Sequence, residues 1–189
     1  MVTMTTPAAQ PLGLPRGRAL TRDDLQSMPD DGHRYELIDG VLIVSPAPRT
    51  AHQRASGNLY LALRASCPPE LEVLYAPVDV ILADDTVIQP DLVVALRTDV
   101  TEHDLPTAPL LAVEILSPST RSIDLLLKRD RLARAQCPHY WIVDPDEPSI
   151  SALTLDDGDY HATARAVGDE AFETLEPLPV RLTPTELLS

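Results

Sequence analysis

Two apolar runs near the middle of the chain constrain its fold more than any other stretch. They cover Leu92–Leu96 and residues 110–116, and both predict strands buried on both faces, because they lack polar alternation and are flanked by Pro and polar turns. Each run carries one acid: Asp91 stands at the entrance of the first and Glu114 inside the second. A carboxylate in an apolar core needs a cation, a hydrogen-bonded partner or a raised pKa. Two such acids in one core suggest a shared divalent metal.

A helix is predicted directly after the second strand. Hydroxyl N-caps at 117–120 open it, and its apolar spacing continues to about Gln136. The side chains expected on its buried stripe are Ile123, Leu126, Leu127, Leu132 and Ala135.

The single lysine of the chain lies on this helix. The chain has 14 Arg and one Lys, which is Lys128. If the helix folds back on its strand, the strand advances roughly 10 Å beyond Glu114 and the helix returns roughly 12 Å to Lys128. Lys128 should therefore lie level with Glu114. By itself a helical lysine with an acid four residues earlier, here Asp124, is an ordinary solvated residue; together with Asp91 and Glu114 it indicates a site.

The rest of the chain alternates helix and strand signals. A capping-box pattern at 21–24 opens a short helix, and Asp-Gly pairs at 39–40 and 157–158 predict hairpins. A longer helix is predicted over Thr50–Ser66, strands near 71–75, 78–82 and 139–143, and a polar loop or short helix at 98–109. This order predicts an α/β (α+β) fold with a central mixed β-sheet flanked by helices and with N-terminal and C-terminal β-hairpins.

Length and composition favour one globular domain. With 189 residues the chain can bury one core; residues 1–18, rich in Pro and Gly, predict a flexible leader, and 19–189 the domain. No run approaches the roughly 20 apolar residues of a membrane span, and the start lacks the pattern of a secretion signal. Cys67 and Cys137 have no metal-ligand spacing and predict two reduced thiols. We therefore expect a cytoplasmic protein with no membrane partner.

Charge is unevenly distributed along the chain. The net charge of −14 argues against a general nucleic-acid coat, because phosphate contacts need Lys and Arg. Residues 117–137 nevertheless carry a local charge of +3, whereas residues 141–189 carry −9. The acidity is thus separated in sequence from the predicted site.

A series of motifs resembles a known nuclease family. Pro90-Asp91 followed by Glu114-Ile115-Leu116 resembles the core of PD-(D/E)XK nucleases, in which acids on successive strands hold Mg²⁺. The wider series is similar to the Uma family of restriction-endonuclease-like proteins over about residues 20–185. It consists of YELIDG at 35–40, a His at 52, QPDLVV at 89–94, EILSPST at 114–120, the Asp124 and Lys128 pair, and YWIVDP at 140–145. The superfamily's lysine position falls here on Leu116, and the resemblance implies that the lysine has moved to Lys128.

The resemblance implies a restriction-endonuclease-like core and a Mg²⁺- or Mn²⁺-dependent endonuclease acting on DNA. Asp91, Glu114 and the Ile115 carbonyl are the expected metal ligands. Lys128 is expected to orient or deprotonate the attacking water or to offset phosphate charge, with Glu36 as an outer ligand or helper. The residues expected to contact DNA are His52, Arg54, Arg121 and Arg129. A homodimer is expected if both strands of a duplex are cut.

Other interpretations stay open at this stage. One is a catalytically inactive nuclease-fold module that binds nucleic acid or a protein partner, which the net charge and Leu116 favour. Another is a structural domain whose acids are satisfied by Arg121 and its neighbours. Glu36 as an exposed strand acid and His52 as a surface histidine are the ordinary alternatives for those residues. No G-x-S-x-G motif, Walker loop or dinucleotide fingerprint is present.

Overall fold

The computed structural model of the chain describes residues 13–189. Thirteen strands lie within these residues: β1 (Arg34–Ile38), β2 (Val41–Ser45), β3 (Leu71–Tyr75), β4 (Asp79–Ala83), β5 (Thr86–Ile88), β6 (Leu92–Leu96), β7 (Asp104–Leu105), β8 (Leu111–Ile115), β9 (His139–Asp144), β10 (Ser149–Asp156), β11 (Asp159–Val167), β12 (Phe172–Thr174) and β13 (Val180–Leu182). The α-helices are α1 (Arg22–Gln26), α2 (Thr50–Ser66) and α3 (Arg129–Arg134). A π-helical segment, Ile123–Lys128, leads into α3, and a 3₁₀ helix, Pro184–Leu188, follows the last strand.

A six-stranded mixed sheet forms the centre of the molecule. Its strand order is β11-β10-β9-β8-β6-β3; β8 and β9 are parallel and the other neighbours are antiparallel. All five residues of β8 and the first four of β6 are buried, as expected for strands covered on both faces. The predicted mixed sheet flanked by helices is therefore confirmed.

Two apolar clusters cover the two faces of this sheet. On one face α2 packs Ala55, Leu59 and Leu63 against β8 and β9, together with β12 and β13. On the other face Leu132 and Ala133 of α3 pack with residues of β1, β4 and β5. The predicted helix Thr50–Ser66 has these bounds in the structure.

A second sheet of five strands carries the N-terminal hairpin. Its order is β2-β1-β5-β4-β7. Asp39 and Gly40 connect β1 to β2 with φ values of 53° and 73°, the left-handed conformation that a two-residue hairpin turn requires. Asp157 and Gly158 connect β10 to β11 in the same way, with φ values of 47° and 84°. Both hairpins predicted from Asp-Gly pairs are confirmed.

The helix after β8 differs from its prediction. Leu126 and Leu127, expected on the buried stripe, are 66% and 43% exposed, whereas Asp124 and Lys128 are buried. The reason is that the π-helical segment turns its charged face, not its apolar face, toward the core, where acids from the sheets provide partners. The helical region also ends at Arg134, before the predicted end.

Two of the strands are very short. β5 has three residues and β7 two, too few to give a sequence pattern, and β7 lies in the stretch predicted as a loop or short helix.

Residues 1–12 of the predicted leader lie outside the described residues, and the division into a leader and the domain 19–189 stays a prediction. Within residues 13–189, no helix is both long and apolar enough to cross a membrane.

Candidate active site

The pairing of β6 with β8 brings the two strand acids together. Leu92 lies opposite Val113 at the end of this antiparallel ladder, and the same register continued by one residue places Asp91 beside Glu114, where the Ile115 backbone N–H donates to Asp91. Opposite residues of an antiparallel pair project to the same face, with Cβ atoms about 4.5–5.5 Å apart. Both acids are buried, at 3% and 0% exposure. The expectation that they share one location is thus met by the sheet register.

Lys128 lies in the middle of three carboxylates. Its Nζ is 2.8 Å from Glu36 Oε1, 3.1 Å from Glu114 Oε1 and 3.4 Å from Asp124 Oδ1. None of these four side chains is more than 2% exposed. The predicted return of Lys128 to the level of Glu114 is therefore confirmed, and Glu36 is a buried acid rather than an exposed strand residue.

Asp91 is held by a second set of donors. Arg34 Nη1 donates to Asp91 Oδ1 at 3.0 Å, and the Ile115 backbone N–H donates to Oδ2 at 2.8 Å. His52 Nε2 lies 3.0 Å from the same Oδ2. Burial would raise the pKa of Asp91, but the hydrogen bond and charge of His52, with Arg34, outweigh it and lower the pKa to about 2. Asp91 is therefore an ionised carboxylate.

Glu114 has the opposite electrostatic balance. Burial raises its pKa well above the ordinary value; Lys128 opposes this shift, and the neighbouring carboxylates reinforce it. Its Oε2 atom is buried and has no hydrogen-bond partner within residues 13–189. Burial would lower the pKa of Lys128, but Glu114 and the other two carboxylates raise it above its usual value, so this side chain is an ammonium. The network has more buried acids than cations.

These residues fit a hard divalent cation by their chemistry. The described part of the chain contains no cluster of three or more His, Cys, Asp or Glu side chains arranged as a metal site. Glu36 and Asp124 are bound to Lys128, and Glu114 still has an unpartnered oxygen, so the pair Asp91 and Glu114 remains as possible ligands. Mg²⁺ commonly takes one or two carboxylates and retains waters. The unpartnered Glu114 Oε2 provides an oxygen ligand that such an ion needs, and the network has more acids than cations to balance it.

A cavity of about 640 Å³ opens next to Asp91. Its wall includes Arg34, His52 and the loop 117–120, and the N-terminal end of α2 borders it. Glu114 and Lys128 lie behind this wall rather than on it. His52, at 9% exposure, is a buried residue of the network and not a surface histidine.

The three arginines predicted to contact DNA lie away from the cavity wall. Arg121 pairs with Asp144 at 2.6 Å, and Arg129 donates to the Tyr160 carbonyl at 2.9 Å. Arg54 is exposed on α2, and its side chain makes no hydrogen bond or ion pair within residues 13–189. The cations that pair with the acids of the network are thus Lys128 and Arg34, and not Arg121 as the structural interpretation assumed.

Three contributors to the network are absent from the sequence-based prediction. Arg34 contacts Asp91 and lies 3.6 Å from Glu36. The Gln89 backbone N–H donates to Glu36 Oε1 at 2.7 Å, and Thr120 Oγ1 donates to Asp124 Oδ2 at 2.7 Å. Arg34 had a sequence signal, because residues i and i+2 of a strand share a face, which places it beside Glu36.

A mixed central sheet, two acids on adjacent strands and a buried lysine together define a restriction-endonuclease-like nuclease fold. The chain belongs to the Uma2 family, whose model carries the description "Putative restriction endonuclease" and matches residues 22–185. A similar crystal structure is that of a "putative nuclease belonging to DUF820" from Anabaena variabilis ATCC 29413. It is 17% identical, with a TM-score of 0.70 over 89% of this chain and 97% of that one. No curated protein matches the chain.

Proposed function

We propose that the chain is a Mg²⁺- or Mn²⁺-dependent endonuclease that hydrolyses phosphodiester bonds of DNA. The observation that carries this proposal is the closeness of two buried acids on neighbouring strands: Asp91 lies on the wall of a cavity, and Glu114 behind it has an unpartnered Oε2. Family membership supports nuclease chemistry. The metal, the DNA substrate and the residue roles are the parts that the proposal adds.

Asp91, Glu114 and the Ile115 carbonyl would hold the metal ion. Such an ion lowers the pKa of a bound water and stabilises charge on a phosphate. Arg34 and the Ile115 amide fix the Asp91 carboxylate, so that its orientation is set before substrate arrives. Lys128 donates to Glu114 Oε1, which orients that carboxylate and leaves Oε2 available.

Lys128 is proposed as the migrated lysine of the nuclease core. With three carboxylates within 3.4 Å, its Nζ acts as a donor, so it orients the acids and offsets charge rather than accepting a proton. Glu36 is proposed to hold Lys128 in position, because it binds Lys128 Nζ and is itself fixed by a hydrogen bond from the Gln89 backbone N–H.

The scissile phosphate is proposed to sit in the cavity at the N-terminal end of α2. The N-cap residue, Arg49, makes no side-chain cap, and the first-turn N–H groups of a helix attract anions. His52 Nδ1 and Ser45 Oγ both belong to cavity-wall residues, and both are buried without partners within residues 13–189. Arg54, Arg121 and Arg129 are proposed as outer phosphate contacts.

A second candidate is a catalytically inactive module that binds nucleic acid or a protein partner. Lys128 favours it, because its ammonium already occupies the space between Glu36, Glu114 and Asp124. The net charge of −14 is also unfavourable for a broad nucleic-acid contact.

Metal binding and cleavage separate the two candidates. Supercoiled plasmid is incubated with the protein in Mg²⁺, Mn²⁺ or EDTA, and Mn²⁺ binding is measured by titration calorimetry. The nuclease proposal expects metal-dependent nicking and Mn²⁺ binding, both lost in Asp91→Asn. Glu173→Gln, an exposed acid paired with Arg181, serves as the control and should retain both. Unchanged nicking in Asp91→Asn contradicts the assigned site; Mn²⁺-independent DNA binding without nicking supports the inactive module.

A further inference from the structure

The substrate strand must enter a concave pocket to reach Asp91. The cavity of about 640 Å³ lies in the size range of small-ligand pockets, roughly 300–1,000 Å³, which suits a nucleotide. Reading a duplex normally uses the reverse shape, a protruding helix or strand pair that enters a groove. A paired nucleotide can enter a pocket only after it has been unpaired and unstacked from its duplex, which costs free energy, whereas a nucleotide in a single strand avoids most of that cost.

Tyr75 supplies an aromatic surface on the wall of this cavity. It is the last residue of β3 and is 62% exposed, which is unusual for a large aromatic side chain. Tyr60 holds it in an edge-to-face arrangement, with ring centroids 5.4 Å apart and an interplanar angle of 83°. Unpaired bases stack on exposed aromatic rings of this kind, whatever the base, because every base has a π-face.

The charges around the cavity suit few phosphates. Of its arginines, Arg34 is bound to Asp91, and Arg49 forms an exposed pair with Asp146 at 2.7 Å that a ligand can displace. Asp30 adds negative charge to the wall. A protein that binds a DNA duplex normally neutralises several phosphates on both strands with Lys and Arg side chains. Inside the cavity, one releasable arginine together with the end of α2 matches one or two phosphates, and the proposed outer contacts Arg54, Arg121 and Arg129 lie beyond its wall.

We infer that the substrate is single-stranded DNA, or an unpaired segment of DNA, whose nucleotide enters the cavity with its base stacked on Tyr75. This inference rests on the proposed nuclease function and adds the strand class and a base-binding residue. Tyr75 binds the base, whereas Asp91 and its neighbours act at the phosphate.

Binding in EDTA tests the inference without cleavage. A labelled 12-mer is titrated with the full chain as a single strand and as a duplex, by fluorescence anisotropy, and 2-aminopurine in the strand reports stacking. The single strand should bind more tightly and its 2-aminopurine should be quenched. Tyr75→Ala should weaken single-strand binding by roughly 5- to 150-fold, the loss of one stacked base. Tyr75→Phe should retain binding, and Leu61→Ala, an exposed position on α2, is the matched control.

Equal or tighter duplex binding, no binding of the single strand, or full binding by Tyr75→Ala would each overturn the inference. Failure of the strand preference is distinguishable from failure of the nuclease proposal. A protein that nicks duplex plasmid with metal but shows no effect at Tyr75 is a nuclease of another strand class. A protein that binds the single strand through Tyr75 but cuts nothing with any metal keeps the inference and loses the nuclease.

Discussion

Replacing Lys128 with Met removes the cation that contacts three buried carboxylates and keeps an apolar side chain of similar length. Glu36, Glu114 and Asp124 are each at most 2% exposed, so solvent cannot replace the lost charge. Breaking a buried ion pair by removing one partner costs about 3–5 kcal/mol, compared with about 0–1 kcal/mol for an exposed pair. We expect a loss in the upper range, which is a large part of a typical stability of about 5–15 kcal/mol.

The loss should depend on pH in a defined direction. Burial already raises the pKa of Glu114, and without Lys128 it should rise further. A carboxyl with a raised folded-state pKa contributes stability below its unfolded pKa, near 4.3, and loses it as pH rises toward the folded value. Each pH unit in that window costs about 1.4 kcal/mol. Lys128→Met should therefore be less destabilised at pH 5 than at pH 8.

Urea unfolding at both pH values measures this effect as a shift in midpoint with an unchanged slope. Lys128→Met combined with Glu114→Gln should recover part of the loss, because one uncompensated charge is removed. Arg134→Ala is the control, since Arg134 is 70% exposed and pairs with Asp130 on the surface; it should change stability by about 0.5 kcal/mol or less. Wild-type stability of Lys128→Met at pH 8 would refute the buried-network argument.

Three further outcomes follow from the structure. Gly40→Ala should destabilise the chain by about 1–3 kcal/mol, because a Cβ at φ +73° meets the Cβ of Ala19 at 2.5 Å. Gly57→Ala, which has open space around it in α2, should instead stabilise the chain by about 0.5–1 kcal/mol, and urea unfolding midpoints compare the two variants. Burial raises the pKa of the Cys137 thiol to about 11, so a thiol reagent should label Cys67 first and Cys137 only on unfolding; equal labelling of the folded chain would contradict this. Because the pKa of Asp91 is lowered to about 2, the stability that its carboxylate contributes is present above about pH 3.9 and lost toward pH 2. The difference in free energy of unfolding between wild type and Asp91→Asn should therefore shrink as the pH falls toward 2.

Local chemistry explains which elements were predictable from the sequence. The Asp39-Gly40 turn carries its own conformational signal, so the hairpin could be placed without knowledge of the rest of the chain. The approach of Lys128 to Glu114 was also accessible, because the rise of a strand and of a helix are fixed quantities. Both features depend on residues that lie close together in the sequence.

Long-range pairing explains what the sequence did not reveal. Arg34 reaches Asp91 across 57 positions of the chain, through the pairing of β1 with β5. Periodicity predicts that Leu126 and Leu127 belong to the core, because it treats apolar residues at helical spacing as buried. In the structure the acids around Lys128 attract the other face of that segment, and buried ion pairing prevails over the apolar stripe.

The π-helical segment Ile123–Lys128 makes the position of the lysine a property of helical winding rather than of strand spacing. In a strand, the alternation of side chains fixes the distance from an acid to a lysine two residues on. On a helix, deleting one residue rotates everything after it about the axis by roughly a quarter of a turn. The site should therefore tolerate many substitutions in this segment but no single-residue insertion or deletion. Relatives that keep the site can consequently differ in acid-to-lysine spacing only where the winding of the segment changes to compensate.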